Sequence, residues 1–141
     1  MIAPEPDEDT VEDMRQFGYE IGMAFQIVDD ILDFTSDEKV LGKPVGSDLR
    51  QGIITLPTLI YGEISPDDPG LRNLLEGKRA INEEQVSRLV KAIRESPAID
   101  LAFDLAAQFV QRGLLSLRKQ PASPERQSLE KLAEYIVQRK K

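Results

Sequence analysis

The chain has 141 residues, with 18 Lys and Arg against 25 Asp and Glu, and therefore a formal net charge of −7. It contains no Cys and no His, which excludes disulfides, thiolate nucleophiles, the usual structural zinc sites and every mechanism that needs an imidazole base. A metal ion would have to be held by oxygen, which indicates Mg²⁺, Mn²⁺ or Ca²⁺. The negative charge argues against nucleic-acid binding, and no apolar run approaches the roughly 20 residues of a membrane-spanning helix.

Residues 1–9 are acidic and contain two prolines, and we expect them to be a disordered lead-in to a helical domain of residues 10–141. The lead-in lacks the basic start and apolar centre of a signal peptide, so we expect a cytoplasmic protein without stable membrane insertion. Thr10 is predicted to cap the first helix. Apolar side chains at spacings of three and four residues carry this helix to about Thr35.

Gly18 and Gly22 lie four residues apart on the first helix and predict a close approach of another helix. A long polar connection follows at 36–52. Further helices are predicted from apolar periodicity and capping signals at 55–61, 65–75, 82–95, 96–118 and from 123 onward. Strand signals are nearly absent. The predicted fold class is therefore all-α, a helical bundle.

Three aspartates, Asp29, Asp30 and Asp33, interrupt the otherwise apolar first helix. Asp29 and Asp33 are four residues apart, which places them on the same helix face. No Lys or Arg lies between Arg15 and Lys39, so no cation nearby in the sequence neutralises the triplet. A solvated acidic face is one explanation. Because repulsion between like charges grows in partly buried surroundings, the pattern favours a hard divalent cation held with water and phosphate oxygens.

The polar connection carries Lys43 on a glycine-flanked turn and a further acidic residue, Asp48. Lys43 could contact a phosphate as a point charge, and Asp48 could hold metal-bound water. On the loop alone, a solvent-facing lysine and a turn cap are the simpler explanations, and both alternatives stay open.

The order of these residues resembles the second aspartate-rich region of the trans-isoprenyl diphosphate synthases, or polyprenyl synthetases. The resemblance rests on Phe-Gln-Ile-Val-Asp-Asp-Ile-Leu-Asp at 25–33, Gly-Lys at 42–43, Ser-Asp-Leu at 47–49 and Thr-Leu-Pro at 55–57. It implies the all-α isoprenoid synthase fold, usually as a homodimer, and hence a homo-oligomer here. It also implies condensation of an allylic diphosphate with isopentenyl diphosphate, in which Mg²⁺ neutralises charge on the departing pyrophosphate.

The resemblance also assigns roles by position. Four aspartates are implied for the metal: Asp29 as a direct ligand, Asp30 and Asp33 in support, and Asp48 through metal-bound water. Three residues are implied for substrate binding: Phe25, Gln26 and Lys43. The basic C-terminal end, with Arg139 and Lys140, resembles a tail that helps to close such sites, and a frayed polar terminus is the alternative.

Two departures from the family pattern bear on activity. Ile53 stands where the family often has a Lys, so one phosphate contact is missing or replaced. No first aspartate-rich motif is present, and the sequence resembles about the C-terminal half of such an enzyme. We therefore expect part of a prenyltransferase that is inactive alone. The alternatives are a non-catalytic helical partner subunit and a plain Mg²⁺-binding helical bundle.

Overall fold

The structure, a computed structural model, describes residues 7–77 and 82–138. Within these two ranges the chain forms helices and turns and contains no strand, which confirms the predicted all-α class. In chain order the helices are α1 (Glu8–Thr35), α2 (Glu38–Leu41), α3 (Ser47–Arg50), α4 (Leu56–Ile64), α5 (Pro69–Leu75), α6 (Glu83–Glu95), α7 (Ala98–Leu117) and α8 (Pro124–Gln138). None of the described helices combines the length and the apolar character needed to cross a membrane.

The described residues fall into two compact units, each with its own buried side chains. The first comprises 7–26 and 105–138, and the second comprises 27–77 and 82–104. Buried apolar residues of the first unit include Phe17, Ile21, Ala24, Val110, Leu114, Ala133 and Ile136. The core cluster of the second unit consists of Phe34, Leu49, Tyr61, Leu71, Leu89, Val90, Ile93 and Ala98. The acidic triplet, Lys43 and Asp48 all belong to the second unit.

Helix α1 begins two residues before Thr10 because Asp7, not Thr10, caps it. The Oδ1 atom of Asp7 accepts a hydrogen bond from the Thr10 backbone N–H at 2.7 Å, which satisfies one of the free N–H groups of the first turn. This bond favours the ionised carboxylate and lowers the pKa of Asp7 below its ordinary value. Glu8 and Asp9, which were expected in the lead-in, are helical, and residues 1–6 lie outside the described residues.

Three later helices, predicted from residues 82, 96 and 123 onward, are capped by the first residue of the predicted range. Asn82 accepts from the Gln85 backbone N–H at 2.8 Å, and the Gln85 side chain accepts from the Asn82 backbone N–H at 3.2 Å, which forms a capping box. The other two caps are serine hydroxyls, Ser96 accepting from the Ala98 N–H at 3.1 Å and Ser123 accepting from the Arg126 N–H at 3.0 Å. In each case the polar residue that precedes a segment of helical apolar periodicity therefore marks the start of the helix.

The start of α5 differs from the prediction at residue 65, because Asp68 provides the cap. Its Oδ1 atom accepts hydrogen bonds from the N–H groups of Gly70 and Leu71 at 2.8 and 3.1 Å. The Tyr61 hydroxyl of α4 donates to the other carboxylate oxygen of Asp68. Burial, followed by this hydrogen bond, raises the pKa of Tyr61 above its ordinary value. One carboxylate thus caps α5 and ties it to α4, which continues to Ile64, beyond the predicted end.

The close approach predicted at Gly18 and Gly22 is wrong for the described residues, since a Cβ added at either position would meet nothing within 4 Å. The close approach in the first unit lies instead at Gly113 of α7, where an added Cβ would stand 3.0 Å from the Cδ1 atom of Ile21. The spacing of the glycines in α1 therefore did not predict this contact, in which the glycine belongs to α7 and the larger side chain belongs to α1.

Candidate functional site

Asp33, the last member of the acidic triplet, holds the loop of residues 42–52, which includes the short helix α3, against α1. The residue is buried, at 2% exposure. Its backbone carbonyl accepts a hydrogen bond from the Gly46 N–H at 2.8 Å, and its Oδ2 atom accepts one from the Asp48 N–H at 3.1 Å. These two bonds connect α1 to the residues that follow Lys43, among them Asp48.

Lys43 provides a cation that the local sequence around the triplet lacks. Its Nζ atom lies 3.4 Å from Oδ1 of Asp33, and the Lys43 side chain is 46% exposed. That Oδ1 atom is buried and accepts no hydrogen bond, so the contact is an ion pair without hydrogen-bond geometry. Lys43 therefore partly neutralises the buried carboxylate while its ammonium group remains accessible to an anion from solvent.

The remaining predicted carboxylates are more exposed than Asp33. Asp29 is exposed, whereas Asp30 and Asp48 are partly buried. Burial is the largest cause that raises the pKa of Asp48 above its ordinary value; the charges of Asp33 and Asp29 raise it further, and Lys43 acts in the opposite direction. The charges of Asp33, Asp29 and Lys43 therefore all act on the Asp48 carboxyl group.

These donors suit a metal ion shared with a ligand better than a closed protein cage. Within 7–77 and 82–138, no three acidic side chains are grouped closely enough to hold an ion by themselves. Mg²⁺ normally takes one or two protein carboxylates and completes its octahedron with water and phosphate oxygens. The exposed carboxylate of Asp29 and the partly buried one of Asp48 fit such a shared arrangement, whereas the buried Oδ1 atom of Asp33 is paired with Lys43.

The other predicted site residues have different positions. Phe25 and Gln26 are exposed on α1, in the turn that precedes the triplet. Ile53 is also exposed, so an apolar side chain faces solvent where the family often has a Lys. Arg139 and Lys140 lie outside the described residues, and their closing role stays a prediction.

Residues that hold the loop against α6 were missed by the sequence analysis. Gly46 adopts a left-handed conformation with φ +75°, and an added Cβ would lie 2.4 Å from the Cγ2 atom of Val90 on α6. Arg50 reaches side chains of the same helix. The glycine before Ser-Asp-Leu was a visible signal, but its partner on α6 is too distant in the sequence for any spacing rule to indicate.

Comparison with known proteins gives the family. A family described as Polyprenyl synthetase matches residues 1–93. The chain belongs to the polyprenyl synthetase family. Heptaprenyl diphosphate synthase component 2 of Bacillus subtilis is 39% identical over 143 residues, which cover 99% of this polyprenyl synthetase chain and 39% of that protein.

Solved structures extend the likeness to the fold. The crystal structure of heptaprenyl diphosphate synthase from Staphylococcus aureus matches with a TM-score of 0.89 and 35% identity, over 97% of this chain and 42% of that one. Polyprenyl synthase from Caulobacter crescentus CB15, complexed with calcium and isoprenyl diphosphate, matches with a TM-score of 0.81 and 33% identity, over 96% and 42%. This polyprenyl synthetase chain thus spans about two-fifths of the length of these relatives.

Proposed function

We propose that this chain forms a diphosphate-binding part of a Mg²⁺-dependent polyprenyl diphosphate synthase, a transferase of isoprenoid biosynthesis. The substrates of the complete enzyme would be an allylic diphosphate and isopentenyl diphosphate. The observation that carries the proposal is the pair of contacts made by the Asp33 carboxylate. Its Oδ1 atom lies 3.4 Å from Nζ of Lys43, and its Oδ2 atom accepts a hydrogen bond from the Asp48 N–H at 3.1 Å. The match to a synthase complexed with calcium and isoprenyl diphosphate supports both the kind of metal and the class of ligand.

The proposed roles follow from charge and exposure. Asp29, the exposed carboxylate of the triplet, binds Mg²⁺ directly with Asp30 beside it, and Asp48 holds water of the coordination shell. Lys43 offers three N–H donors to phosphate oxygens of the allylic diphosphate. Asp33 supports the metal mainly by positioning the loop, because its carboxylate is buried. The metal, when bound, neutralises negative charge on the leaving diphosphate.

Phe25 and Gln26 complete the proposed substrate contacts. Both side chains are exposed on α1, so they are accessible to a ligand that approaches this helix. Gln26 offers amide donors and an acceptor, whereas the Phe25 ring offers an apolar surface of the kind that an isoprenoid chain can contact.

Catalysis is proposed to need residues beyond those of this sequence. The sequence lacks a first aspartate-rich motif, and the chain spans 39% of its Bacillus subtilis relative. The active assembly would therefore include a further helical portion of a polyprenyl synthetase. We propose a cytoplasmic protein that forms a homo-oligomer. The oligomer is supported by the large apolar side chains of Val11 and Tyr19, which α1 exposes and which a second subunit could cover.

A non-catalytic partner subunit is the second candidate function. It is favoured by the name of the Bacillus subtilis relative, component 2 of a heptaprenyl diphosphate synthase, which indicates an enzyme with more than one component. A partner subunit would form a stable complex with a complete synthase and would not itself need to bind pyrophosphate. Pyrophosphate binding therefore discriminates between the two candidates.

The test is calorimetric titration of the chain with inorganic pyrophosphate in the presence and absence of Mg²⁺. We expect Mg²⁺-dependent binding whose affinity falls by more than about tenfold in Asp29→Ala, since loss of a metal-site partner commonly has effects of this size. Asp104→Ala is the matched control, because Asp104 is an exposed acidic residue on α7. Equal affinities for the wild type and Asp29→Ala, or binding that is indifferent to Mg²⁺, would contradict the proposal.

A further inference from the structure

The loop that carries Asp48 is held by two different helices, α1 and α6. Asp33 of α1 binds it through the N–H groups of Gly46 and Asp48. The loop also contacts α6, which begins more than thirty residues later in the chain. The hydrogen bonds from the loop to α6 come from Arg50, which binds Glu83 and Ser87 of that helix.

Arg50 uses three nitrogens of its guanidinium group. Nε donates to the backbone carbonyl of Val45 at 3.0 Å, which folds the side chain back across its own loop. One terminal nitrogen donates to the carboxylate of Glu83, and the other donates to the hydroxyl of Ser87 at 3.3 Å. The Ser87 hydroxyl in turn donates to Glu83 at 3.3 Å. A planar guanidinium suits this fixed set of acceptors, whereas the single ammonium group of a Lys does not.

The apolar contact beside this network fixes the same register. Glu83, Ser87 and Val90 occupy successive turns on one face of α6. Val90 lies so close to Gly46 that a Cβ at residue 46 would stand 2.4 Å from Cγ2 of Val90. The loop therefore meets α6 at a steric contact through Gly46 and at a polar contact through Arg50, one on each side of Asp48 in the sequence.

We propose that Arg50 is a positioning residue of the diphosphate site: by binding Val45, Glu83 and Ser87 it sets the place of the loop on α6 and hence the place of Asp48 relative to Asp33. The inference rests on the proposed function for the identity of the ligand. Its structural part, the dependence of the loop on Arg50, can be tested without any ligand.

Arg50 is not itself a phosphate ligand in this scheme. Its side chain is 22% exposed, and its charge is paired with Glu83. The two roles make opposite predictions for Glu83→Gln. If Arg50 bound the phosphate directly, removal of the competing carboxylate would strengthen pyrophosphate binding, whereas a positioning role predicts weaker binding because the loop loses an anchor.

The binding experiment compares the titration of Mg²⁺ and inorganic pyrophosphate into four variants. We expect the affinity to fall about tenfold in Arg50→Ala, less in Arg50→Lys, which keeps the charge but not the planar set of donors, and less again in Glu83→Gln. Arg88→Ala is the control and should leave binding unchanged, because Arg88 pairs with Glu84 on the exposed face of α6 at 2.9 Å. Tighter binding by Glu83→Gln would overturn the proposal.

The second experiment measures backbone amide exchange by NMR in the absence of ligand. Exchange of the Gly46 and Asp48 N–H groups should accelerate about tenfold or more in Arg50→Ala, relative to the Leu71 N–H, which Asp68 holds at the start of α5. A merely stabilising residue would change all three amides together. Unchanged or uniformly changed exchange would overturn the positioning role.

These two readouts separate the inference from the function on which it rests. If the wild type fails to bind pyrophosphate, the proposed function fails, while selective exchange at Gly46 and Asp48 still decides whether Arg50 positions the loop. If Arg50→Ala does not fold, the same two measurements are made on Arg50→Lys and Glu83→Gln. The loss of binding is again expected to be larger in Arg50→Lys than in Glu83→Gln.

Discussion

Asp33 shows how one residue can organise a site without facing solvent. Its backbone carbonyl and its carboxylate bind two N–H groups of the same loop, and its second carboxylate oxygen pairs with Lys43. A buried carboxylate is costly unless it is paired and hydrogen-bonded. These three contacts therefore explain how an aspartate is accommodated among the buried side chains of Ile31, Leu32 and Phe34.

The charges around Asp48 predict that two substitutions shift the pKa of Asp48 in opposite directions. Lys43→Met removes the cation that lowers the pKa of Asp48, so this pKa should rise further. Asp33→Asn removes the anion that raises it, so the pKa should fall toward the ordinary value of about 4. Carbon-detected NMR titration of the Asp48 carboxyl group measures both shifts. Movement in the same direction in both variants would show that the three groups do not share one environment.

The pH dependence of stability follows from the same shift. Because the pKa of Asp48 is raised in the folded state, folding disfavours its ionised form. The associated stability is fully present below the unfolded-state pKa and is lost as the pH rises from there through the folded-state pKa. Asp48→Asn should flatten this part of the profile, as measured by urea unfolding across that pH range.

At the scale of the elements, the short α3 and the loop before it depend on α6. The buried side chains Leu89, Val90 and Ile93 place α6 in the core of the second unit. Because Gly46 packs directly on Val90, the packing of that core restricts the movement of the loop. A segment with only four helical residues of its own is thereby held in a defined conformation.

Substitution of Gly46 by Ala should be strongly destabilising. An L side chain at φ +75° is strained by about 1–2 kcal/mol, and overpacking of a close contact adds about 1–3 kcal/mol, here against Val90 at 2.4 Å. Gly52→Ala is the matched control, since Gly52 has φ +80° and its added Cβ would meet nothing within 4 Å. Chemical unfolding of both variants measures the difference, and equal losses would mean that the contact with Val90 is unimportant.

The sequence predicted what depends on local chemistry. Helix type, the cap at Asn82 and the end of α1 at Thr35 follow from periodicity and capping, and the motif identified the family. Contacts distant in the sequence were not predictable, because no spacing rule joins Gly46 to α6 or Lys43 to a carboxylate of α1. The glycine pair in α1 was misjudged for a related reason: helix packing depends on which faces meet, and composition alone does not determine this.

For the molecule as a whole, the important fact is that the chain spans about two-fifths of the length of its relatives. Its folded units are complete enough to form buried cores, and the predicted diphosphate contacts from Asp29 to Asp48 lie within one of them. We therefore expect the carboxylates of this unit and Lys43 to bind a diphosphate although the sequence contains no first aspartate-rich motif.

The purified chain should not condense an allylic diphosphate with isopentenyl diphosphate in the presence of Mg²⁺. The reason is the missing first aspartate-rich motif, without which the departing pyrophosphate is neutralised from one side only. Product analysis with radiolabelled isopentenyl diphosphate checks this, with a complete synthase as the positive control. Steady, Mg²⁺-dependent formation of a longer prenyl diphosphate would contradict the expectation.

The contact between Gly113 and Ile21 has a consequence for natural variation in the family. An added Cβ at 113 would stand 3.0 Å from the terminal methyl of Ile21, so an Ala at 113 would require that methyl group to move by a few tenths of an ångström. Lineages that acquire Ala at 113 should carry a shorter residue such as Val at 21, which lacks that methyl group. The two alignment columns should therefore covary, and an evolutionary trace of helix packing should be readable from sequences alone.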